Sequence, residues 1–129
     1  MKHDLTILYA EDDLEILENM TFLLSRYATQ VYTAKDGKEA LELYALHKPD
    51  IFITDIMMPF FDGIEVAQRI REENTRIPII FMTAYNEKEH IEAANDIPSS
   101  SYVMKPFNLD TLNKAIEKAI DEYLTFIPY

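Results

Sequence analysis

The sequence predicts a doubly wound α/β fold, a five-stranded parallel sheet in the order 2-1-3-4-5 with five helices on its two faces. Three observations carry this. Short apolar runs alternate five times with longer segments whose apolar residues recur at helical spacing, and right-handed helical crossovers between strands build a parallel sheet. The central runs are continuously apolar, as strands covered by helices on both faces must be. Four of the runs stop abruptly on polar groups, Glu11-Asp12, Asp55, Thr83 and Lys105.

In chain order, Leu5–Ala10 is the first strand, and three acids follow it directly. From Leu14 the residues Ile16, Leu17, Met20, Leu23, Leu24 and Tyr27 mark the buried side of a helix, with Asp13 placed to cap it. Glu11 and Asp12 are left without a structural duty. Thr29–Thr33, centred on Val31, is a more polar strand suited to a sheet edge, and Asp36-Gly37 makes the next turn. Ala40, Leu41, Tyr44 and Ala45 line a second helix, which Lys48-Pro49-Asp50 ends because the residue before proline avoids the helical region.

Ile51-Phe52-Ile53 forms the third strand and ends on Thr54-Asp55. A loop running to Gly63 precedes a third helix lined by Ile64, Ala67 and Ile70. Ile79–Met82 is the fourth strand, ending on Thr83-Ala84. Glu87–Asn95 reads as a weakly amphipathic, acidic fourth helix facing inward through Ile91 and Ala94. Pro98–Ser101 leads into a short fifth strand, Tyr102-Val103-Met104, which stops at Lys105-Pro106. The last helix starts at Asn108 or Asp110 and buries Leu109, Leu112, Ile116, Ala119, Ile120 and Tyr123.

A chain of 129 residues is the size of one domain, 1–129, with 48% apolar residues to form a single sizeable core. Two glycines leave no material for a glycine-rich phosphate cradle, and the absence of cysteine excludes disulfides and thiolate metal sites. No apolar stretch approaches membrane-spanning length, and the polar start lacks the apolar core of a signal peptide, so a cytoplasmic protein is expected. A net charge of −11 with no segregated basic patch argues against direct binding to nucleic acid or to a membrane surface. Most of the acids fit solvated helix faces. His3, His47 and His90 stand among polar neighbours as surface residues.

Chemistry concentrates where the strands end. Asp55 could simply cap the following helix, but ligands of open parallel sheets bind outside the carboxyl ends of the strands, and strands 1 and 3 flank the point where strand order reverses. Carboxylates crowded there repel, and a hard divalent cation with oxygen ligands relieves the repulsion. Mg²⁺ suits such a site, with Asp12, Asp55 and the backbone carbonyl of Met57 as candidate ligands and Glu11 reaching the ion through water. Lys105 and Thr83 supply a positive charge and a hydroxyl for anionic phosphoryl oxygens, so attack by Asp55 on phosphorus, giving an acyl phosphate, is the chemistry that follows.

These residues resemble the receiver domain of two-component response regulators over roughly Leu5 to Leu124. Ile7–Asp13 looks like the family's first strand and acidic pair, Glu11 and Asp12. Asp55–Pro59 with Asp62-Gly63 looks like its phosphoacceptor loop. Met82-Thr83-Ala84 corresponds to its switch threonine, and Tyr102–Phe107 to its final strand and lysine. Each motif is weak alone; in this order, each at a strand end, they are specific.

The resemblance implies a flavodoxin-like fold and a module that takes phosphate onto Asp55 from the phosphohistidine of a sensor histidine kinase or phosphotransfer protein. It catalyses only its own phosphorylation and dephosphorylation and is not an enzyme acting on an outside substrate. Thr83 would turn to the phosphoryl group and Tyr102 inward, changing the surface of the fourth helix, fifth strand and fifth helix. A downstream effector protein or domain would read that surface, and a phosphorylation-dependent homodimer is a further expectation. The Lys105-Pro106 bond is expected to be cis.

Several positions depart from the family pattern. Phe60 stands where glycine is usual, and Pro98-Ser99 replaces Gly-Ala before the fifth strand. Met57 and Tyr85 occupy positions where receivers tune phosphoryl lifetime, and bulk there is expected to hinder the attacking water. Phe126–Tyr129 is an apolar tail that either packs on the domain or marks where a longer protein was cut. A Mg²⁺-dependent aspartyl-phosphate phosphatase is the alternative enzyme reading, but it would want an acid where Met57 stands. A flavodoxin-like cofactor binder would want a Gly/Ser/Thr-rich loop where Glu11-Asp12-Asp13 stands. A receiver-like protein-binding module that is never phosphorylated would not need the full set Asp12, Asp55, Thr83 and Lys105.

Overall fold

The computed structural model describes residues 2–84, 92, 96–106 and 108–126. Its elements run β1 (His3–Ala10), α1 (Leu14–Leu24), β2 (Ala28–Ala34), α2 (Gly37–His47), β3 (Ile51–Asp55), α3 (Gly63–Glu73), β4 (Ile79–Ala84), β5 (Ser100–Lys105) and α4 (Leu109–Phe126). All strand pairings are parallel, and the sheet order is β2-β1-β3-β4-β5, as the alternation of elements predicts. The fourth helix expected over Glu87–Asn95 lies outside the described residues except for Glu92, and α4 here is the last helix of the chain.

Side chains alternate across each strand and so separate into two cores. Leu8, Phe52 and Phe81 pack with Ala40 and Tyr44 of α2 and Val66, Ala67 and Ile70 of α3. Ile7, Tyr9, Ile53, Met82 and Val103 pack on the other face with Met20 and Leu24 of α1 and Leu112, Ile116 and Ile120 of α4. Burial on both faces is why β1, β3 and β4 read as unbroken apolar runs. No helix among the described residues is long and apolar enough to cross a membrane.

The differences from the sequence reading fall at element ends. Tyr27 lies beyond α1, and Ile16, Ala45 and Leu109 are exposed rather than inward. β5 begins two residues earlier than expected, at Ser100. Asp36 is more than a turn residue: its carboxylate accepts from Glu39 N–H and caps α2. Lys48 ends that helix in the left-handed conformation, φ 46°, outside the right-handed helical region, as the following proline leads one to expect. Asn108 caps α4 by accepting from Thr111 N–H.

Candidate functional site

Parallel register brings the strand ends to one edge: Ala10 pairs with Thr54, Asp55 with Met82, and Ala84 with Lys105. The ladder continues one residue past β1, where Glu11 N–H donates to the Ala34 carbonyl at 2.9 Å. The three consecutive acids then take different duties. Asp13 Oδ1 accepts from the N–H groups of Glu15 and Ile16 and caps α1. Glu11 is buried, 1% exposed, and its Oε2 accepts from Asp13 N–H, whereas Asp12 is exposed. Oxygens of Glu11, Asp12 and Asp55 lie within 4.8 Å of one another.

Lys105 stands between two of these acids, with its Nζ 3.2 Å from Asp55 Oδ1 and 3.3 Å from Glu11 Oε1. Asp55 Oδ1 also accepts from Ile56 N–H at 3.1 Å. Burial pushes the Glu11 carboxyl up to about 7, with the Asp55 charge adding to the rise and Lys105 opposing it. Burial likewise raises Asp55 above the ordinary carboxylate range despite Lys105. For Lys105 burial acts downward, but the charges of Asp55 and Glu11 outweigh it and hold the ammonium protonated. One lysine faces three carboxylates, so the cluster keeps surplus negative charge. Its all-oxygen donor set fits a hard divalent cation and lacks the histidine or thiolate that softer metals favour.

The loop after Asp55 is held from below by both glycines of the chain. A Cβ on Gly63 would sit 2.2 Å from the Asp55 carbonyl oxygen, and one on Gly37 would sit 2.0 Å from that of Phe61. Gly63 N–H donates to the Ile56 carbonyl at 2.7 Å, and Asp62 caps α3 by accepting from Glu65 N–H. Phe60 adopts φ 70°, the left-handed region in which glycine carries no steric cost, so its departure from the usual glycine is a strained one. Phe61 is half-buried beneath Arg69, whose guanidinium lies 4.3 Å from the ring centre.

The structure therefore brings Glu11, Asp12, Asp55 and Lys105 together. Thr83 is fully buried near the end of β4, one residue beyond the register partner of Asp55. Met57, 53% exposed, follows Asp55 by two residues, and Tyr102 is 41% exposed on the edge strand β5. Tyr85, with Phe107 and the 127–129 tail, lies outside the described residues. The Lys105-Pro106 peptide is cis. Sequence reasoning missed the supporting roles of Gly37 and Gly63, and their rarity in the chain was the available signal.

This is a flavodoxin-like α/β architecture with a lysine-bridged acidic cluster at its switch point. Residues 7–117 match the response regulator receiver domain, and the chain belongs to that family, the receivers of two-component signalling. It is 36% identical over 118 residues to the transcriptional regulatory protein PdtaR of Mycobacterium tuberculosis, covering 91% of this chain and 57% of that protein. To the regulatory protein AtoC of Escherichia coli it is 38% identical over 110 residues, 85% of this chain and 23% of that one. The chain thus spans little more than half, or less, of these curated relatives. A receiver domain protein from Clostridium thermocellum superposes with TM-score 0.88 at 26% identity, covering 95% of this chain and 99% of that one. The chemotaxis response regulator CheY4 of Vibrio cholerae does so with TM-score 0.77 at 26% identity, covering 91% and 99%.

Proposed function

We propose that this chain is a single receiver domain that accepts a phosphoryl group on Asp55 from the phosphohistidine of a sensor histidine kinase or phosphotransfer protein. The observation that carries the reading is the Glu11, Asp12 and Asp55 cluster with Lys105 Nζ 3.2 Å from the Asp55 carboxylate. Asp55 is the nucleophile: a carboxylate oxygen bonds to phosphorus as the bond to the donor imidazole nitrogen breaks, and that nitrogen keeps the electron pair. Lys105 steadies the acceptor carboxylate and then the phosphoryl oxygens. Asp12, Asp55 and the Met57 carbonyl would hold Mg²⁺, with Glu11 acting through water. The ion would offset the acids' charge and draw electron density from the phosphoryl group.

Thr83 turns its hydroxyl toward the phosphoryl group, and Tyr102 moves inward from its half-exposed position on β5. A local charge change thereby biases the surface that includes β5 and α4. A downstream effector protein or domain, or a second copy of the phosphorylated chain, reads that surface in the cytoplasm. The domain turns over only its own phosphoryl group. Acetyl phosphate with Mg²⁺ should add one phosphoryl mass to the wild type and none to Asp55→Asn; equal labelling of the two proteins would sink the reading.

A further inference from the structure

Two buried side-chain polar atoms lack a hydrogen-bond partner among the described residues, Arg71 Nε and the Tyr9 hydroxyl. Arg71 is otherwise well used, donating to the carbonyls of Asn74, Ile77 and Pro98. Tyr9 has no second polar group, and it is fully buried in the core between the sheet and α1 and α4. Phenylalanine would fill nearly the same space without stranding a hydroxyl there, which makes the hydroxyl the feature in need of a purpose.

Its position suggests one. Tyr9 precedes Glu11 by two residues on the same side of β1, and its register partner Ile53 precedes Asp55 by two on the same side of β3. At a strand rise of about 3.3 Å per residue, a tyrosine and a glutamate two apart are within combined reach of each other. Burial, and after it the charges of Glu11, Asp55 and Asp13, push the phenol far above its ordinary ionisation range, so the hydroxyl stays a neutral donor.

Glu11 has the complementary need. Lys105 serves its Oε1 and Asp13 N–H serves its Oε2. If Lys105 turns to a phosphoryl group on Asp55, Oε1 loses that donor, and since a carboxylate offers about four acceptor sites, Glu11 has room for a second donor beside a magnesium-held water. We propose that Tyr9 is a positioning residue of the acidic cluster, its hydroxyl taking over the hydrogen bond to Glu11 when Lys105 shifts to the phosphoryl group. This rests on the phosphoacceptor reading of Asp55.

The test uses full-length protein carrying [¹³Cζ]tyrosine, with the Tyr9 resonance assigned through bonds in the wild type. Beryllofluoride with Mg²⁺ should shift that resonance. Tyr9→Phe should unfold at the same or a higher urea concentration than the wild type, yet hold beryllofluoride about three- to tenfold more weakly for want of one hydrogen bond. A Tyr9 resonance unmoved in wild type that does bind beryllofluoride, or a Tyr9→Phe protein that folds and binds equally well, overturns the assignment while leaving Asp55 as acceptor. Wild type that binds no more beryllofluoride than Asp55→Asn overturns both.

Discussion

Phe60 holds φ 70° while 75% exposed, so its backbone is strained and its ring contributes little packing. A left-handed conformation costs a non-glycine residue roughly 1–2 kcal/mol, whereas glycine costs about 0.5–1 kcal/mol in lost unfolded-state freedom. The first effect is larger. Phe60→Gly should therefore raise stability by about 0.5–1 kcal/mol, seen as a higher urea midpoint at unchanged slope. Met57, 53% exposed two residues past Asp55, argues differently, since on the proposed reading its bulk would exclude water from a phosphoryl group on Asp55. Met57→Ala should speed autodephosphorylation by about two- to fivefold, and a rate that stays level or falls would remove the role assigned to it. At this scale the sequence was most legible where a polar residue ended an apolar run, as at Asp55 and Lys105. The bond from Lys105 to Glu11, 94 residues away, was not legible, because only the register of four strands brings them together.

Helix starts show how identical residues divide between structure and site. Asp13, Asp36 and Asp62 each cap a helix, while Asp12, one position from the first of them, joins the acidic cluster. Capping at Asp13 was readable because an amphipathic pattern follows it; at Asp36 the adjacent glycine suggested only a turn. That glycine, like Gly63, answers to backbone from another element, and a single sequence does not record such an approach. Ile16 and Leu109 were misread because helical spacing continues to the helix ends, where the sheet no longer covers it. Gly63→Ala must move the Asp55 carbonyl, which a new Cβ would approach to 2.2 Å. It should cost about 3 kcal/mol in urea unfolding and weaken beryllofluoride binding, because the backbone bearing Asp55, the proposed acceptor, shifts. Asp62→Ala removes only a cap and should cost about 1 kcal/mol with binding retained, and an equal loss of binding in both would deny Gly63 its special place.

The chain as a whole carries a net charge of −11 and concentrates three of its acids at one edge of the sheet. Fold class and strand order were legible throughout because five strand and helix alternations leave few topologies; the electrostatic state of the edge was not, because it depends on burial. Glu11 is raised by burial and the Asp55 charge up to about 7, and Asp55 is raised as well. A carboxyl whose folded-state pKa exceeds its unfolded value binds its proton more tightly in the native protein, so stability is present at low pH and is lost as pH rises through the folded value. Without divalent metal, the protein should lose on the order of 2 kcal/mol between the ordinary carboxylate range and a pH just above 7, and self-repulsion of the surface acts in the same direction. On the proposed magnesium site, millimolar Mg²⁺ held by the deprotonated acids should recover the loss at pH 7.5 while doing little at pH 5. Urea unfolding at the two pH values, with EDTA or with Mg²⁺, separates the cases. In Asp12→Ala the recovery should be much smaller, whereas a magnesium effect of equal size at both pH values and in this variant would show that the ion acts on the surface at large and not at the strand ends.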